Sequence, residues 1–320
     1  MPESALTAVT QPSPSPPADG LLAALHAGDA VDGVFACTRK ERLLTRSGRP
    51  YLALELRDRS GTLPARVFRD ADLHGGRFAS GELVRVSGRV ARFREELQVE
   101  LEQIERATDV EADPTAFLPV AYRDLDELEG FLEHLAREVC DPAYQRLLQA
   151  LLADSELRAQ WRLAPCTRRS HHAYLGGLLE HTVAVATLTQ ELALQHRRLD
   201  SDLLITAAIV HDLGKTREFS YGASIECSEE GRLLGHVQLG LALLAERGAG
   251  VLDAARMLAL GHCVLCHHGP EAAPGGRFQS VEALALWRLN ALDAGVKGAL
   301  EHGIEARPRS AHAAGAAATA

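Results

Sequence analysis

The sequence lacks the long apolar stretches and the leader segment that direct a chain into or across a membrane. No run approaches the ~18 consecutive apolar residues of a transmembrane helix, and the opening stretch MPESALTAVTQPSPSPPADG is polar and proline-rich. The six cysteines are too few and too scattered for the disulfide framework of a small secreted domain. We therefore expect reduced thiols, no association with a membrane and a cytoplasmic location.

Common cofactor motifs are also missing, since the chain has no GxGxxG, no P-loop and no convincing internal repeat. GHCVLCHHG, residues 261–269, does contain Cys263-x-x-Cys266-His267, the pattern by which haem is attached in c-type cytochromes. That attachment normally takes place outside the cytoplasm, so we predict no haem. A closed structural zinc site would need a second ligand pair at knuckle spacing, and none follows. We interpret both cysteines as small buried residues.

Acidic residues predominate, but charge is unevenly distributed along the chain. The 320 residues carry a formal net charge of -9, yet residues 32–107 hold 15 Lys+Arg against 12 Asp+Glu while the remainder holds 19 against 31. The small excess of positive charge within residues 32–107 is nearly all arginine. It is compatible with a solvated face of a small β domain and with a surface that binds nucleic acid.

The pattern along the chain predicts two domains between segments of low complexity. Residues 1–20 are rich in proline, serine and alanine, and residues 306–320 are small and polar, so both are predicted to be disordered. Short alternating runs broken by turn signals predict five strands within residues 31–107. A short acidic linker, 108–120, leads to residues 121–305, where helical periodicity recurs. The predicted fold is a small all-β barrel followed by an all-α bundle.

The second and third predicted strands combine an apolar face with a face of aromatic and arginine side chains. Five short strands suit the oligonucleotide/oligosaccharide-binding (OB) barrel, whose second and third strands commonly form the binding face. Aromatic rings stack on bases and arginines meet phosphates, which makes four side chains candidates for binding RNA: Tyr51, Arg57, Arg66 and Phe68. The alternative is that Tyr51 and Phe68 cover the barrel or pack against the next domain.

The most informative of the fourteen histidines lie within otherwise apolar helical segments. A lone histidine there is usually a hydrogen-bonded core residue, but a group of them in one domain needs partners for every ring nitrogen. A shared metal ion supplies such a partner, and imidazole with carboxylate suits Mn, Fe, Zn, Ni or Co. The candidate metal ligands are His181, His211, Asp212, His236, His267 and His268.

These residues and the stretches around them resemble a known family. The ordered set of histidines and the HDLGK motif are similar to the HD-domain metal-dependent phosphohydrolases. APCTRRSHHAYLGGLLEHT, AAIVHDLGKTREFS, GRLLGHVQLG and CHHG, with GRPYLALELRDRSGTLPARVF upstream, resemble the YhaM-type 3'→5' exoribonucleases, which join an OB domain to an HD domain. The resemblance covers roughly residues 31–300.

The resemblance implies roles for individual residues and a cofactor. His181, His211 and Asp212 would hold one divalent ion, most simply Mn²⁺. His236 and His267, with His268, would complete a second ion site. Asp212 and Lys215 are the predicted catalytic residues. Lys215 would contact a substrate phosphate or assist the leaving group. The family also implies a homo-oligomer.

One position departs from the family pattern. The family tends to have aspartate as its last ligand where this chain has Asn290, and Asp293 follows three residues later on the same helix face. The final ligand is therefore expected to be Asp293 or Asn290, and an asparagine oxygen would bind a metal weakly.

The expected function is metal-dependent 3'→5' hydrolysis of single-stranded RNA to nucleoside 5'-monophosphates. Single-stranded DNA stays open as a substrate, because contacts to the 2'-hydroxyl leave no short signature. Two alternatives also stay open: an HD-type phosphohydrolase of a small nucleotide, and a non-catalytic RNA-binding protein whose metal site has decayed at Asn290.

Overall fold

A computed structural model describes residues 21–108 and 113–303. The segments predicted to be disordered, 1–20 and 306–320, lie outside these residues, as does part of the predicted linker. Contacts divide the chain into a barrel unit up to Leu118, which also includes Gly222–Ser224, and a helical unit from Pro119 onward. Within the described ranges, no helix has both the length and the apolar character that crossing a bilayer requires.

The barrel unit contains five strands, which confirms the predicted β domain. They form a closed barrel in the order β1-β2-β3-β5-β4. In chain order the elements are α1 (Leu21–Ala24), β1 (Ala30–Leu44), β2 (Pro50–Asp58), β3 (Gly61–Val67), α2 (Ala71–Gly75), β4 (Leu83–Phe93) and β5 (Glu96–Arg106).

The long strand β1 closes the barrel because it pairs with two partners. Ala30–Ala36 runs antiparallel to β4, and Ala36–Leu44 runs antiparallel to β2. A shift of register between Cys37 and Arg39 lets the strand bend between its two partners. Alternate residues point inward, so apolar side chains fill the barrel, among them Phe35, Leu52, Leu56, Val99 and Ile104.

The helical unit confirms the predicted bundle and adds a short hairpin that periodicity did not indicate. Its elements are α3 (Leu125–Glu138), α4 (Pro142–Ala153), α5 (Ser155–Leu163), α6 (Gly177–Gln195), α7 (Ser201–Val210), α8 (Lys215–Glu218), β6 (Phe219–Tyr221), β7 (Ile225–Cys227), α9 (Glu229–Gly248), α10 (Ala254–Cys266) and α11 (Val281–His302). The β6–β7 pair spans only three residues on each side.

Aspartates fix where several of these helices begin. The side chain of Asp154 accepts hydrogen bonds from the backbone N–H groups of Glu156 and Leu157, so it caps α5 directly after α4 ends. The periodic stretch YQRLLQALLADSEL, residues 144–157, therefore contributes to two helices. The same kind of cap starts α3, α4, α7 and α10 at Asp124, Asp141, Asp200 and Asp253.

The core of the helical unit explains both cysteines of the CxxC motif. Cys263 and Cys266 are fully buried free thiols within the main apolar cluster of this unit. Other members of that cluster are Leu147, Leu178, Leu204, Ile209 and Leu286. The two thiols therefore pack as small apolar side chains.

Two glycines control how α9 meets the HD motif. A Cβ on Gly214 would overlap the carbonyl oxygen of His236, so only glycine lets the HDLGK turn lie this close to α9. Within α9, Gly235 has φ +70° and ψ 159°, a conformation that L-residues with a Cβ rarely adopt. This break in the helix comes one residue before His236.

Replacing Gly214 by alanine should destabilise the helical unit by about 1–3 kcal/mol, because the new methyl group must displace the backbone of α9. Urea unfolding followed by circular dichroism measures the change. Gly130→Ala is the matched control: Gly130 is exposed in α3 with nothing near its Cβ position, so alanine there should stabilise by up to ~1 kcal/mol. Equal midpoints for the two variants would contradict the close approach.

Candidate active site

The predicted metal ligands come together in the helical unit, most of them at helix ends. His211 directly follows α7 and His267 directly follows α10, where the last carbonyls of a helix lack intrahelical partners. His211 Nδ1 donates to the Ala208 carbonyl at 2.8 Å, and His267 Nδ1 donates to the Val264 carbonyl at 2.6 Å. Since a carbonyl only accepts, Nε2 of each ring carries the free lone pair.

The first donor group consists of His181, His211 and Asp212, whose ligand atoms lie within 4.8 Å of one another. His181 Nε2 lies 3.3 Å from His211 Nε2 and 3.6 Å from Asp212 Oδ2. His211 Nε2 lies 3.3 Å from the same carboxylate oxygen. All three residues are buried, so water cannot readily surround these atoms.

The second donor group consists of Asp212, His236, His267 and His268. The other carboxylate oxygen, Asp212 Oδ1, lies 3.3 Å from His267 Nε2 and 3.5 Å from His236 Nε2. His236 Nε2 lies 2.9 Å from His268 Nε2, and Glu218 lies 3.3 Å from His236 Nδ1. Asp212 thus faces one donor group with each of its oxygens.

Two orphaned atoms indicate that this cluster fits a cation. Asp212 Oδ1 and His267 Nε2 are buried without a hydrogen-bond partner among residues 21–108 and 113–303, although they lie only 3.3 Å apart. Both atoms present lone pairs, because the His267 proton is held at Nδ1 and burial lowers the pKa of His267 to about 4. Facing lone pairs need a positive charge between them, and imidazole with carboxylate is a suitable ligand set for a divalent transition metal.

Asn290 and Asp293, the two candidates for the last ligand, have different surroundings. The Asn290 Nδ2 group donates to the His267 carbonyl at 3.1 Å, which turns Oδ1 toward His181 Nε2 at 2.9 Å. Asp293 Oδ2 accepts instead from His181 Nδ1 at 2.6 Å, on the opposite edge of that ring. Asn290 therefore faces the first donor group, whereas Asp293 orients His181 from behind, as outer carboxylates commonly do for metal-binding histidines.

Behind His181 lies a buried polar network that sequence reasoning missed. His172 donates from Nε2 to Asp293 at 3.1 Å and from Nδ1 to the Tyr174 hydroxyl at 3.0 Å, and that hydroxyl donates to Glu180 at 2.6 Å. Burial would lower the pKa of His172, but the carboxylates of Asp293 and Glu180 raise it. His172 has a left-handed backbone with φ +51°, strain that the network holds in place.

Lys215, predicted to contact substrate, is 5% exposed in this arrangement. Its ammonium donates to Asp212 Oδ2 at 2.6 Å and lies 3.3 Å from the Cys166 sulfur. Burial would raise the pKa of Asp212, but Lys215 and the nearby histidines hold it well below its usual range. Lys215 thus keeps Asp212 ionised, and the buried thiol of Cys166 completes its surroundings.

On the barrel, the four predicted RNA-binding residues differ in what they contact. Tyr51 and Phe68 stack on each other with ring centroids 5.5 Å apart, and Phe68 is 48% exposed. Arg66 is half-buried and donates to the Ala65 carbonyl at 2.9 Å. Arg57 donates to the backbone carbonyl of Ala223, and burial lowers its pKa. Tyr51 and Phe68 therefore offer a stacking surface, whereas Arg57 already has a protein partner.

Comparison with known proteins identifies both units. Residues 178–295 match the HD domain family and residues 36–107 match the OB-fold nucleic acid binding domain family. A 3'-5' exoribonuclease YhaM of Bacillus velezensis is 30% identical over 244 residues, covering 76% of this chain and 77% of that protein. Proteins of the same name from Bacillus subtilis and Shouchella clausii are 29% identical over 244 residues and 28% identical over 248 residues; these matches cover 76% of this chain and 77% and 76% of those proteins. The HD match implies a divalent metal, which the cluster around Asp212 is able to hold.

Removing one histidine from each donor group should remove about one ion per chain each time, because the two groups share only Asp212. We expect purified wild type, loaded with Mn²⁺ and desalted, to retain about two ions by elemental analysis, and His181→Ala and His267→Ala about one. His134→Ala, on the exposed face of α3, is the control and should match wild type. Full metal content in either site variant would contradict the assignment.

Proposed function

Because this chain belongs to the YhaM family of 3'-5' exoribonucleases, we propose that it hydrolyses single-stranded RNA from the 3' end and releases nucleoside 5'-monophosphates. The observation that carries this proposal is the convergence of two donor groups on the two oxygens of Asp212. A shared carboxylate of this kind is typical of two-metal sites that cleave phosphodiesters.

The proposed reaction breaks the bond between phosphorus and the 3' oxygen of the penultimate nucleotide. An oxygen of water forms the new bond to phosphorus, so the terminal nucleotide leaves with a monophosphate on its 5' carbon. A proton from that water completes the new 3'-hydroxyl of the shortened strand. Bound divalent ions would supply the charge compensation on phosphoryl oxygens and the lowered pKa of water that this hydrolysis requires.

The chain's own residues have distinct tasks in this proposal. His181 and His211, with Asp212 Oδ2 and Asn290 Oδ1, would hold one ion, and Asp212 Oδ1 with three further histidines would hold the other. Lys215 keeps the shared carboxylate ionised. Asp293 and the backbone carbonyls behind His181, His211 and His267 fix the protonated edge of each ring, so that the lone pair of Nε2 faces the place where an ion would bind.

The geometry of Asn290 supports a working site over a decayed one. Its Nδ2 group is held by the His267 carbonyl, so its oxygen lies 2.9 Å from His181 Nε2, at a defined place in the first donor group. We infer that the loss of one negative charge relative to aspartate weakens this ion site without removing it. The orphaned lone pairs of the second donor group are unaffected by the change.

We propose Mn²⁺ as the metal, since the family resemblance favours it and the ligand set accepts it. The barrel would hold the strand by stacking bases on the exposed Phe68 ring and its partner Tyr51. Single-stranded DNA as a second substrate, a homo-oligomeric state and a cytoplasmic location stay predictions from the sequence.

With Mn²⁺, wild type should release labelled mononucleotide from a 3'-labelled single-stranded RNA from the first turnover onward. Asp212→Ala should slow this about a thousandfold or more, as expected when electrostatic stabilisation of the reacting phosphate is lost. His211→Ala is a second variant that keeps the ion pair of Lys215, and Asp126→Ala, whose carboxylate is exposed on α3, is the matched control. Release of internal fragments by wild type, or undiminished activity in both site variants, would overturn the proposal.

Phe68→Ala should weaken binding of a single-stranded RNA by about 1–3 kcal/mol, the usual value of one stacked base. Fluorescence anisotropy with EDTA present measures this without hydrolysis. Leu73→Ala, which removes an apolar side chain 60% exposed in α2 of the same unit, is the control for lost apolar area. If both variants bind alike, Phe68 does not stack on RNA.

A further inference from the structure

A loop beside the first donor group carries two unpaired arginines. It runs from Cys166 to His172 and is closed at its base by a hydrogen bond from the Cys166 N–H to the His172 carbonyl at 3.1 Å. Arg168, Arg169 and Ser170 form its exposed tip. Neither arginine side chain has an ion pair or hydrogen bond to any residue that the structure describes.

The base of this loop lies against the candidate metal ligands. The Cys166 sulfur is 3.9 Å from Asp212 Oδ2, and the His171 ring centroid is 5.4 Å from that of His181. Cys166, His171 and His181 also bring one ligand atom each within 4.8 Å of one another. His171 Nδ1 is buried and has no hydrogen-bond partner in the part of the chain that the structure describes. The inner side of the loop is therefore part of the site, and one of its polar atoms is unsatisfied.

The tip is within reach of a strand whose end lies in that site. Arg169 is two residues from His171, so their Cα atoms are at most about 7 Å apart along an extended chain. The side chain of Arg169 adds its own length to this reach. The two guanidinium groups can thus meet phosphates next to the one at the donor groups, and arginine suits phosphate because its planar fork donates two hydrogen bonds.

The local charge also favours phosphate as the partner of these two arginines. No Asp or Glu occurs between Glu156 and Glu180, although the whole chain has a net charge of -9. Two other arginines in this interval, Arg158 and Arg162, are ion-paired to residues of α3. Arg168 and Arg169 are therefore the positive charges of this interval that remain open to an anion.

We propose that Arg168 and Arg169 form a binding site for the sugar-phosphate backbone of the substrate strand, next to the nucleotide being removed. The proposal rests on the function proposed above and deepens it, because it assigns strand contact to the helical unit as well as to the barrel. His171 links the two parts of this site along the chain, because its ring packs 5.4 Å from that of His181 and it follows the arginines by two residues.

The chain contains a matched control for this test. Arg197 and Arg198 form the same tandem pair, also exposed and without ion pairs among the described residues, just beyond the other end of α6. Helix α6, 19 residues and about 28 Å long at a rise of ~1.5 Å per residue, lies between the two pairs in the chain. Removing either pair changes net charge equally, but only one pair adjoins the site.

Salt dependence of binding tests the proposal, since each phosphate contact to a single strand contributes ~0.7 to the slope of log affinity against log salt. We expect the full-length Arg168→Ala/Arg169→Ala chain to bind a fluorescent single-stranded RNA about tenfold more weakly, with a slope lower by ~1.4, over about 50–200 mM salt. The Arg197→Ala/Arg198→Ala chain should match wild type, and Arg168→Lys/Arg169→Lys should keep the slope because both charges remain.

Two outcomes overturn the proposal. One is an equal salt slope in wild type and in the Arg168→Ala/Arg169→Ala chain, and the other is an equal loss of RNA affinity in the two double-alanine variants. EDTA in every sample suppresses metal-dependent turnover, so the slope is read whether or not the chain shortens RNA. A failure of strand contact at Arg168 and Arg169 is thereby distinguished from a failure of the exonuclease proposal.

Discussion

The carboxylate of Asp212 is the interaction on which the site depends. Its two oxygens face separate groups of imidazoles, and the ammonium of Lys215 holds it in the ionised form although it is buried. A buried carboxylate without such partners would tend to protonate. Oδ1 has no hydrogen-bond donor among the described residues, so a cation at this place would serve both the stability of this region and its chemistry.

Backbone features place the histidine side chains next to the Asp212 carboxylate. Helices α7 and α10 end where their last carbonyls can hold a histidine ring by Nδ1, which leaves the opposite nitrogen free. The break at Gly235 precedes His236, and the small size of Gly214 permits α9 to approach the HD turn. Main-chain carbonyls thus orient the rings of His211 and His267, whereas the side chain of Asp293 orients His181.

Much of this was predictable from sequence, and the rest depends on long-range contacts. The five-strand barrel, the bundle and the set of histidines follow from periodicity and from the cost of burying unpartnered imidazoles. Spacing alone did not separate Asn290 from Asp293, because both lie on one helix face; the difference comes from the His267 carbonyl and from the two edges of His181. His172, Tyr174 and Glu180 were missed because their network joins α11 to a loop far away in sequence. The only available signal was the uncommon cluster of polar residues in SHHAY.

The end of α11 contacts the loop from Cys166 to His172 and helps to hold it in place, although the two lie far apart in the chain. The Glu301 carboxylate accepts from the His172 backbone N–H at 3.0 Å, and His302 Nε2 lies 3.1 Å from the Ser170 carbonyl. For protein engineering this means that ending the chain before Glu301 would remove contacts to this loop and not only surface residues. It would release the loop that carries Arg168 and Arg169, and with it the backing of His181.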